Sequence, residues 1–313
     1  MTGVIAVFTA CENFDREFDD YLYTAGYFPY QYPVRTLILG DYIYDNANDN
    51  AHKFLVSVAM GGVYENTEDR VFSVAVDESL CRNLLFSAGG AEVKPLPSNY
   101  YTLATPDRIV IPKGAYNGGV EVQLSDAFFN DPLAVRNTYV LPVRITGSQD
   151  VDTVLLSKNF TLFAVKFINE FDATYFQYGT SSVKDPSGVT VENTDYSTEK
   201  FVENYPTVKL VTTGRYRVST SLNFRSSVFT GSLSLLLTFD GNSCTVSAPD
   251  GAGYTVTGTG EYKRNAYSWG NKERNGLVLN YTVTNEKGAY TASDVLVERT
   301  RDIVMEVFSP VEK

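Results

Sequence analysis

Apolar residues in this chain recur at every second position, and that spacing restricts it to β-structure. Val120, Val122 and Leu124 alternate with Glu121 and Gln123. Tyr216, Val218, Thr220, Leu222 and Phe224 alternate with Arg217, Ser219, Ser221, Asn223 and Arg225, and Leu277, Leu279, Tyr281 and Val283 alternate with Val278, Asn280 and Thr282. Successive side chains of a strand point to opposite faces, so each run predicts one buried face and one wet face. In the first half, strand-length runs stand at 53–59, 70–76, 108–111, 119–124, 138–145 and 159–165, with no helical period over a dozen residues. Short strands separated by turn residues predict a β-sandwich. Pro142 lies inside one run and predicts an edge strand or a bulge there.

A chain of 313 residues exceeds most single cores, and at about 150 residues per domain two are expected. The pattern changes near 166, and residues 178–197 are rich in Gly, Ser, Thr, Asp and Pro. Beyond that segment, runs recur at hairpin spacing: 207–212, 214–224, 231–239, 243–248, 254–258, 260–264, 276–284, 293–299 and 303–308. Asp240-Gly241 and Asp250-Gly251 are tight-turn dipeptides, and 285–288 can close a longer hairpin. Sequential hairpins predict an up-and-down meander, and a meander with nothing else to cover its edges closes into a barrel. The expected division is a leader and tether over 1–20, a sandwich over 21–165 and a barrel over 166–313.

The net charge of −11 opposes a phosphate backbone, so nucleic acid is not an expected partner. No stretch reaches the roughly 20 apolar residues of a membrane-spanning helix. Residues 1–10 form a short apolar run ending in small residues, and Cys11 follows directly. Phe8-Thr9-Ala10-Cys11 resembles a bacterial lipobox, which implies cleavage before Cys11 and a lipid on that cysteine. No basic segment precedes the run, so translation is expected to start upstream of Met1. Glu12, Asp15, Glu17, Asp19 and Asp20 then crowd into a solvated tract suited to a tether. That tract resembles the acidic export signal of Bacteroidetes surface lipoproteins, which implies an outer-membrane, lipid-anchored protein facing the exterior.

Chemistry-bearing residues are sparse. Three scattered cysteines make neither a disulfide framework nor a zinc cluster, and a triad would have to be built on the single histidine, His52. His52 is expected at a loop or strand edge. The nucleophile elbow, the phosphate loop and the dinucleotide fingerprint are missing, and no acidic cluster suited to glycoside hydrolysis falls on a predicted strand. The expectation is no catalytic residue, no metal and no cofactor. The tract 41–50 has oxygen donors enough for Ca²⁺, but Ala47 and the lack of a Gly and a distal Glu in register make it a polar turn. The aromatic stretch 21–32 offers rings for stacking on sugars or for packing a first strand. Trp269, the one tryptophan, sits with Tyr262, Tyr267, Asn265 and Asn271 in a polar segment read as a loop. Either it forms a sugar platform there, helped by Arg264 and Lys272, or Trp269 plugs the barrel end.

A family resemblance adds to this. Gly61-Gly62-Val63-Tyr64-Glu65-Asn66, Val76-Asp77-Glu78-Ser79-Leu80, Tyr100-Tyr101-Thr102-Leu103, Ile111-Pro112-Lys113-Gly114 and Tyr139-Val140-Leu141-Pro142-Val143-Arg144-Ile145 are together similar to the immunoglobulin-like N-terminal domain of Bacteroidetes surface lipoproteins. That domain occurs in polysaccharide-utilisation systems, sometimes ahead of a chitinase-like module. The runs from Asn169 to Phe176, Arg274 to Tyr281 and Val295 to Arg299 resemble the lipocalin-like C-terminal domain that accompanies it. The resemblance implies an all-β chain, an immunoglobulin-like β-sandwich followed by an antiparallel lipocalin-like β-barrel. It also implies a non-catalytic surface lipoprotein binding polysaccharide or oligosaccharide beside other uptake proteins. The alternative is a structural or adhesive protein with a protein partner. Asp152-Thr153-Val154 resembles the short O-glycosylation motif of exported Bacteroidetes proteins, which implies a glycan on Thr153.

Overall fold

The computed structural model describes residues 23–301 and 303–313; the expected lipidation site Cys11 and the acidic tract lie outside them. The described chain is all-β: a two-sheet sandwich followed by a closed antiparallel barrel. One sandwich sheet runs Thr153–Val154, Ala25–Tyr27, Lys53–Gly61, Asn117–Leu124, Tyr101–Leu103, and the other is built around Pro33–Ile38, Phe160–Ile168, Tyr139–Gly147, Arg70–Val76 and Arg108–Ile111. Alternation does the sorting. Phe54, Val56, Val58, Val120 and Val122 from the first sheet meet Phe72, Val143, Ile145, Val165 and Phe167 from the second in one apolar core.

Pro142 departs from expectation, because its strand is central, flanked by Phe160–Ile168 and Arg70–Val76. The missing N–H falls opposite Asp77, one residue past the end of Arg70–Val76, and there the Pro142 carbonyl accepts from Asp77 N–H at 3.0 Å. No ladder bond is lost, so proline is tolerated inside the sheet.

The barrel has eight antiparallel strands. Its opening strand, Ala173–Lys184, pairs with its closing strand, Gly288–Thr300, from Thr174↔Thr300 to Lys184↔Ala289. The runs expected at 254–258 and 260–264 are a single strand, Thr255–Trp269, which makes a long hairpin with Lys272–Asn285. Gly258 and Gly260 do not break it. They point inward, where a Cβ would come within 2.5 Å of Tyr281 at Gly258 and within 2.6 Å of Leu279 at Gly260. These glycines make room for the side chains that fill the barrel.

That filling is apolar at one end and polar at the other. Phe171 stacks on Phe239 with centroids 3.5 Å apart, and Tyr262 meets Phe171 edge-on at 5.0 Å. Further along, Asp294 is fully buried and its carboxylate accepts from Gln177 Nε2 (3.0 Å), Tyr196 OH (2.7 Å) and Tyr281 OH (2.7 Å). Burial pushes this carboxyl above its ordinary range, while the three donors pull it back.

The run expected at 303–308 leaves the barrel. Glu306–Val307 pairs with Pro33–Ile38 of the sandwich, and Val311–Glu312 pairs with Leu84–Leu85. Phe308 anchors this return, packed with Tyr32 and Phe86.

Candidate functional site

The chain turns from Pro33–Ile38 into the tract 41–50, a polar turn leading to a short helix, Ala47–Asn50. Its own amides hold it. Asn46 Nδ2 donates to the carbonyls of Ile38 and Gly40 at 2.7 Å, and Asp49 accepts from Ile38 N–H at 2.9 Å and pairs with Arg35. Gly40 has φ +81, and a Cβ there would lie 2.3 Å from Glu170 Cβ, so only glycine lets the turn close on the barrel entrance.

Arg301 fixes that turn to the barrel. It is 6% exposed, and its guanidinium donates to four carbonyl oxygens: Leu39 (2.9 Å), Asp41 (2.7 Å), Asn169 (2.7 Å) and Asp172 (3.1 Å). One rigid fork thus ties the sandwich turn, the segment entering the barrel and the end of the closing strand together. Arg264 adds a bridge from the long hairpin, pairing with Glu170 and lying 3.5 Å from Asp41.

Between these parts lies an open cleft of about 520 Å³. Tyr42, Ile43 and Tyr44 form one wall, the hairpin end (Asn265 and Lys272 to Asn275) another, and the closing strand from Glu298 through Val304 the third. Tyr44 is 70% and Ile43 74% exposed, while Tyr42 meets Tyr44 edge-on at 5.8 Å. Across from these apolar faces stand donors and acceptors of both kinds: Lys272, Arg274 and Arg299 as cations, Asn265 and Asn275 as amides, Glu273 and Glu298 as carboxylates. Asn275 Nδ2 donates to Glu298 at 3.1 Å, and Asn265 N–H donates to Asn275 Oδ1 at 3.1 Å.

The residues expected to form a platform have different placements. Asn265 lines the cleft, with φ +52 at the irregularity between Lys263 and Tyr267. Asn271 is not in a loop. With Gly270 it makes the two-residue turn of the long hairpin, both at positive φ, and Trp269 pairs directly with Lys272. Tyr262 is 3% exposed inside the barrel, where its ring has no surface to offer a ligand. Tyr267 is half-buried, its ring laid over Gly276. Trp269 neither plugs the barrel end nor stands free: it lies against the closing strand, Nε1 donating to the Glu298 carbonyl at 2.9 Å, its ring edge-on to Phe176 (5.3 Å) and beneath the Arg274 guanidinium (4.5 Å).

Other groups read from the sequence lie elsewhere. His52 packs on the Phe129 ring at 4.0 Å, and burial, with Arg215 nearby, lowers its pKa. Cys81 and Cys244 are free and buried, and burial pushes both thiols up to about 12, far from a reactive thiolate. Thr153 is exposed on the outermost strand of its sheet. Tyr44, Arg274, Arg299 and Arg301 had not been singled out. Only the tyrosines inside the oxygen-rich tract 41–50 gave a signal for them.

Comparison with known proteins fits this architecture. A crystal structure of a Bacteroides ovatus protein of unknown function is 33% identical, with a TM-score of 0.86, covering 94% of this chain and 100% of the other. The chain belongs to the same family. Within the family pattern, residues 170–302 match the model of a domain of unknown function, DUF5627, and residues 18–152 match a model described as an N-terminal domain. Two further Bacteroides ovatus structures are more distant. One, of unknown function, is 13% identical with a TM-score of 0.44, covering 88% of this chain and 94% of the other. The second, described as a "putative carbohydrate binding protein", is 15% identical with a TM-score of 0.34, covering 92% and 99%. No curated protein matches the chain.

Proposed function

We propose that this protein is a non-catalytic surface lipoprotein, anchored through Cys11 at the outer membrane and facing the exterior, that binds glycan as an accessory component of polysaccharide uptake. The sugar site is the cleft between Tyr42–Tyr44 and the barrel end. One observation carries the assignment: an exposed tyrosine face stands opposite converging amides, carboxylates and guanidinium groups in one open groove. A pyranose ring has an apolar face that an aromatic ring covers and an equatorial girdle of hydroxyls that donate and accept, and this groove supplies both. An open groove also suits a polymer, which must enter and leave without an end. The sole histidine packs in the sandwich, and both described cysteines are inert thiols, so binding without turnover is the simpler reading.

Affinity electrophoresis of the chain from about Tyr23 against plant, mucin and fungal polysaccharides tests this, with Tyr44→Ala beside the wild type. Retardation by at least one polymer that Tyr44→Ala weakens supports the reading. Retardation by none moves the assignment to a protein partner, which the exposed apolar rim of Ile43, Val304 and Met305 would suit. The expected O-glycan on Thr153 is tested separately by the mass of the protein purified from its native host.

A further inference from the structure

We propose that the cleft selects anionic sugars, binding a uronate carboxylate or a sulfate ester through Lys272, Arg274 and Arg299. This rests on the glycan-binding reading and names the class of glycan. The argument begins with an aromatic pair. Trp269 and Phe176 meet edge-on at 5.3 Å, and each carries a guanidinium: Arg274 lies 4.5 Å from the Trp269 ring centre and Arg299 5.9 Å from that of Phe176. Stacking uses the flat face of a guanidinium and leaves the N–H edges, which lie in its plane, to be satisfied elsewhere.

Elsewhere in the molecule arginines are satisfied by protein. Arg35, Arg70, Arg144, Arg215 and Arg264 pair with carboxylates, and Arg301 reaches four carbonyls. Among the described residues, by contrast, neither Arg274 nor Arg299 nor Lys272 has a carboxylate within ion-pair distance. Arg274 Nε is shielded from water and meets no acceptor. An oxyanion seated along that edge would satisfy it, and a planar carboxylate or a sulfate matches the fork of N–H groups.

The acids lining the same cleft do not cancel this. Lys272 and Arg274 alternate with Glu273 along an extended strand, so Glu273 projects to the other side. Asp41 faces Arg264, and Glu298 is held by Asn275. Three unpaired cations around one groove stand out in a chain whose net charge is −11. That charge also guards the test, because non-specific attraction to a polyanion runs against it.

The experiment is affinity electrophoresis of the same chain in gels containing polygalacturonate, chondroitin sulfate, or a neutral galactan, with wild type, Lys272→Gln, the Arg274→Gln/Arg299→Gln pair and Tyr44→Ala. The expected result is an apparent affinity for one or both acidic polymers at least tenfold above that for the neutral one. Lys272→Gln, at an exposed turn, reduces it several-fold, and the arginine pair abolishes the preference. The polymer that binds, carboxylate or sulfate, identifies the anion. Equal or stronger retardation by the neutral galactan, still sensitive to Tyr44→Ala, overturns the anionic class and leaves the glycan site standing. An acidic preference unchanged in both Lys272→Gln and the arginine pair overturns the residue assignment. Retardation by no polymer overturns this inference together with the reading beneath it.

Discussion

Two polar regions of the barrel, one inside it and one at its end, are built from similar groups and put to opposite uses. Inside, Asp294 is buried with Gln177, Tyr196 and Tyr281 all donating to it, and no group of the set is left for a ligand. At the end, tyrosines, amides and charged groups again converge, but they face an open groove and the cations there lack protein partners. Buried polar groups that are satisfied specify and rigidify a fold. Accessible ones that are not satisfied are available for recognition. The same rule separates two arginines only a few residues from one another in the cleft wall: Arg301, saturated by four carbonyls, holds the halves of the site together, and Arg274, stacked and unpaired, faces what enters.

This contrast predicts a gradient of effects. Asp294→Ala leaves three buried donors without an acceptor and should destabilise the chain by about 3–5 kcal/mol, read from urea unfolding, without changing glycan affinity in the fraction that stays folded. Arg301→Ala should cost about 2–4 kcal/mol, since four carbonyls lose their donor. It should also weaken glycan binding, because the turn carrying Tyr44 is released from the barrel. A stability loss with unchanged binding would separate the clamp from the site. Tyr44→Ala should do the reverse, lowering affinity about tenfold, or about 1.4 kcal/mol, with no measurable change in the unfolding midpoint, because its side chain is mostly exposed.

The smallest effect is in pH. Burial raises the Asp294 carboxyl above its ordinary 3.8, so the folded chain binds that proton more tightly than the unfolded chain does. Its contribution to stability is therefore greatest below the unfolded value and declines as pH rises through the folded one. Asp294→Asn, which cannot ionise, should flatten this decline. Urea midpoints measured upward from about pH 4 check it, and a slope identical to wild type would show that the carboxyl is not held protonated by the barrel.

Much of the fold was legible because alternation is a local signal. Val218, Thr220 and Leu222 all point into the barrel as their spacing requires, and Val120, Val122 and Leu124 into the sandwich core. What the spacing could not convey was contact over long separations. Gly258 and Gly260 look like turn residues in a linear reading, yet their role is set by Tyr281 and Leu279 on the neighbouring strand. Pro142 looks like an edge marker until its neighbour is seen to end at Val76. The segment 303–308 alternates well enough for a strand, but Phe308 draws it back to the sandwich.

The site was legible only in part for the same reason. Asn265 and Lys272 stood in the polar segment around Trp269, and both line the cleft. Tyr262, in the same segment, faces inward because it shares the face of Val256 and the two glycines. Tyr44 lies far away in sequence and is brought opposite the hairpin by Arg301, whose four acceptors come from three separate stretches of chain.

Trp269 offers the most direct measurement of the central claim that this cleft is the glycan site. It is the only tryptophan in the chain, and its ring lies under Arg274, which lines the groove. Its fluorescence should change saturably when the wild type is titrated with oligosaccharides of any polysaccharide that retards it, and the change should weaken in Tyr44→Ala in proportion to the loss of affinity. A glycan that binds the protein while leaving Trp269 emission unchanged and Tyr44→Ala unimpaired would place the site elsewhere and contradict the account.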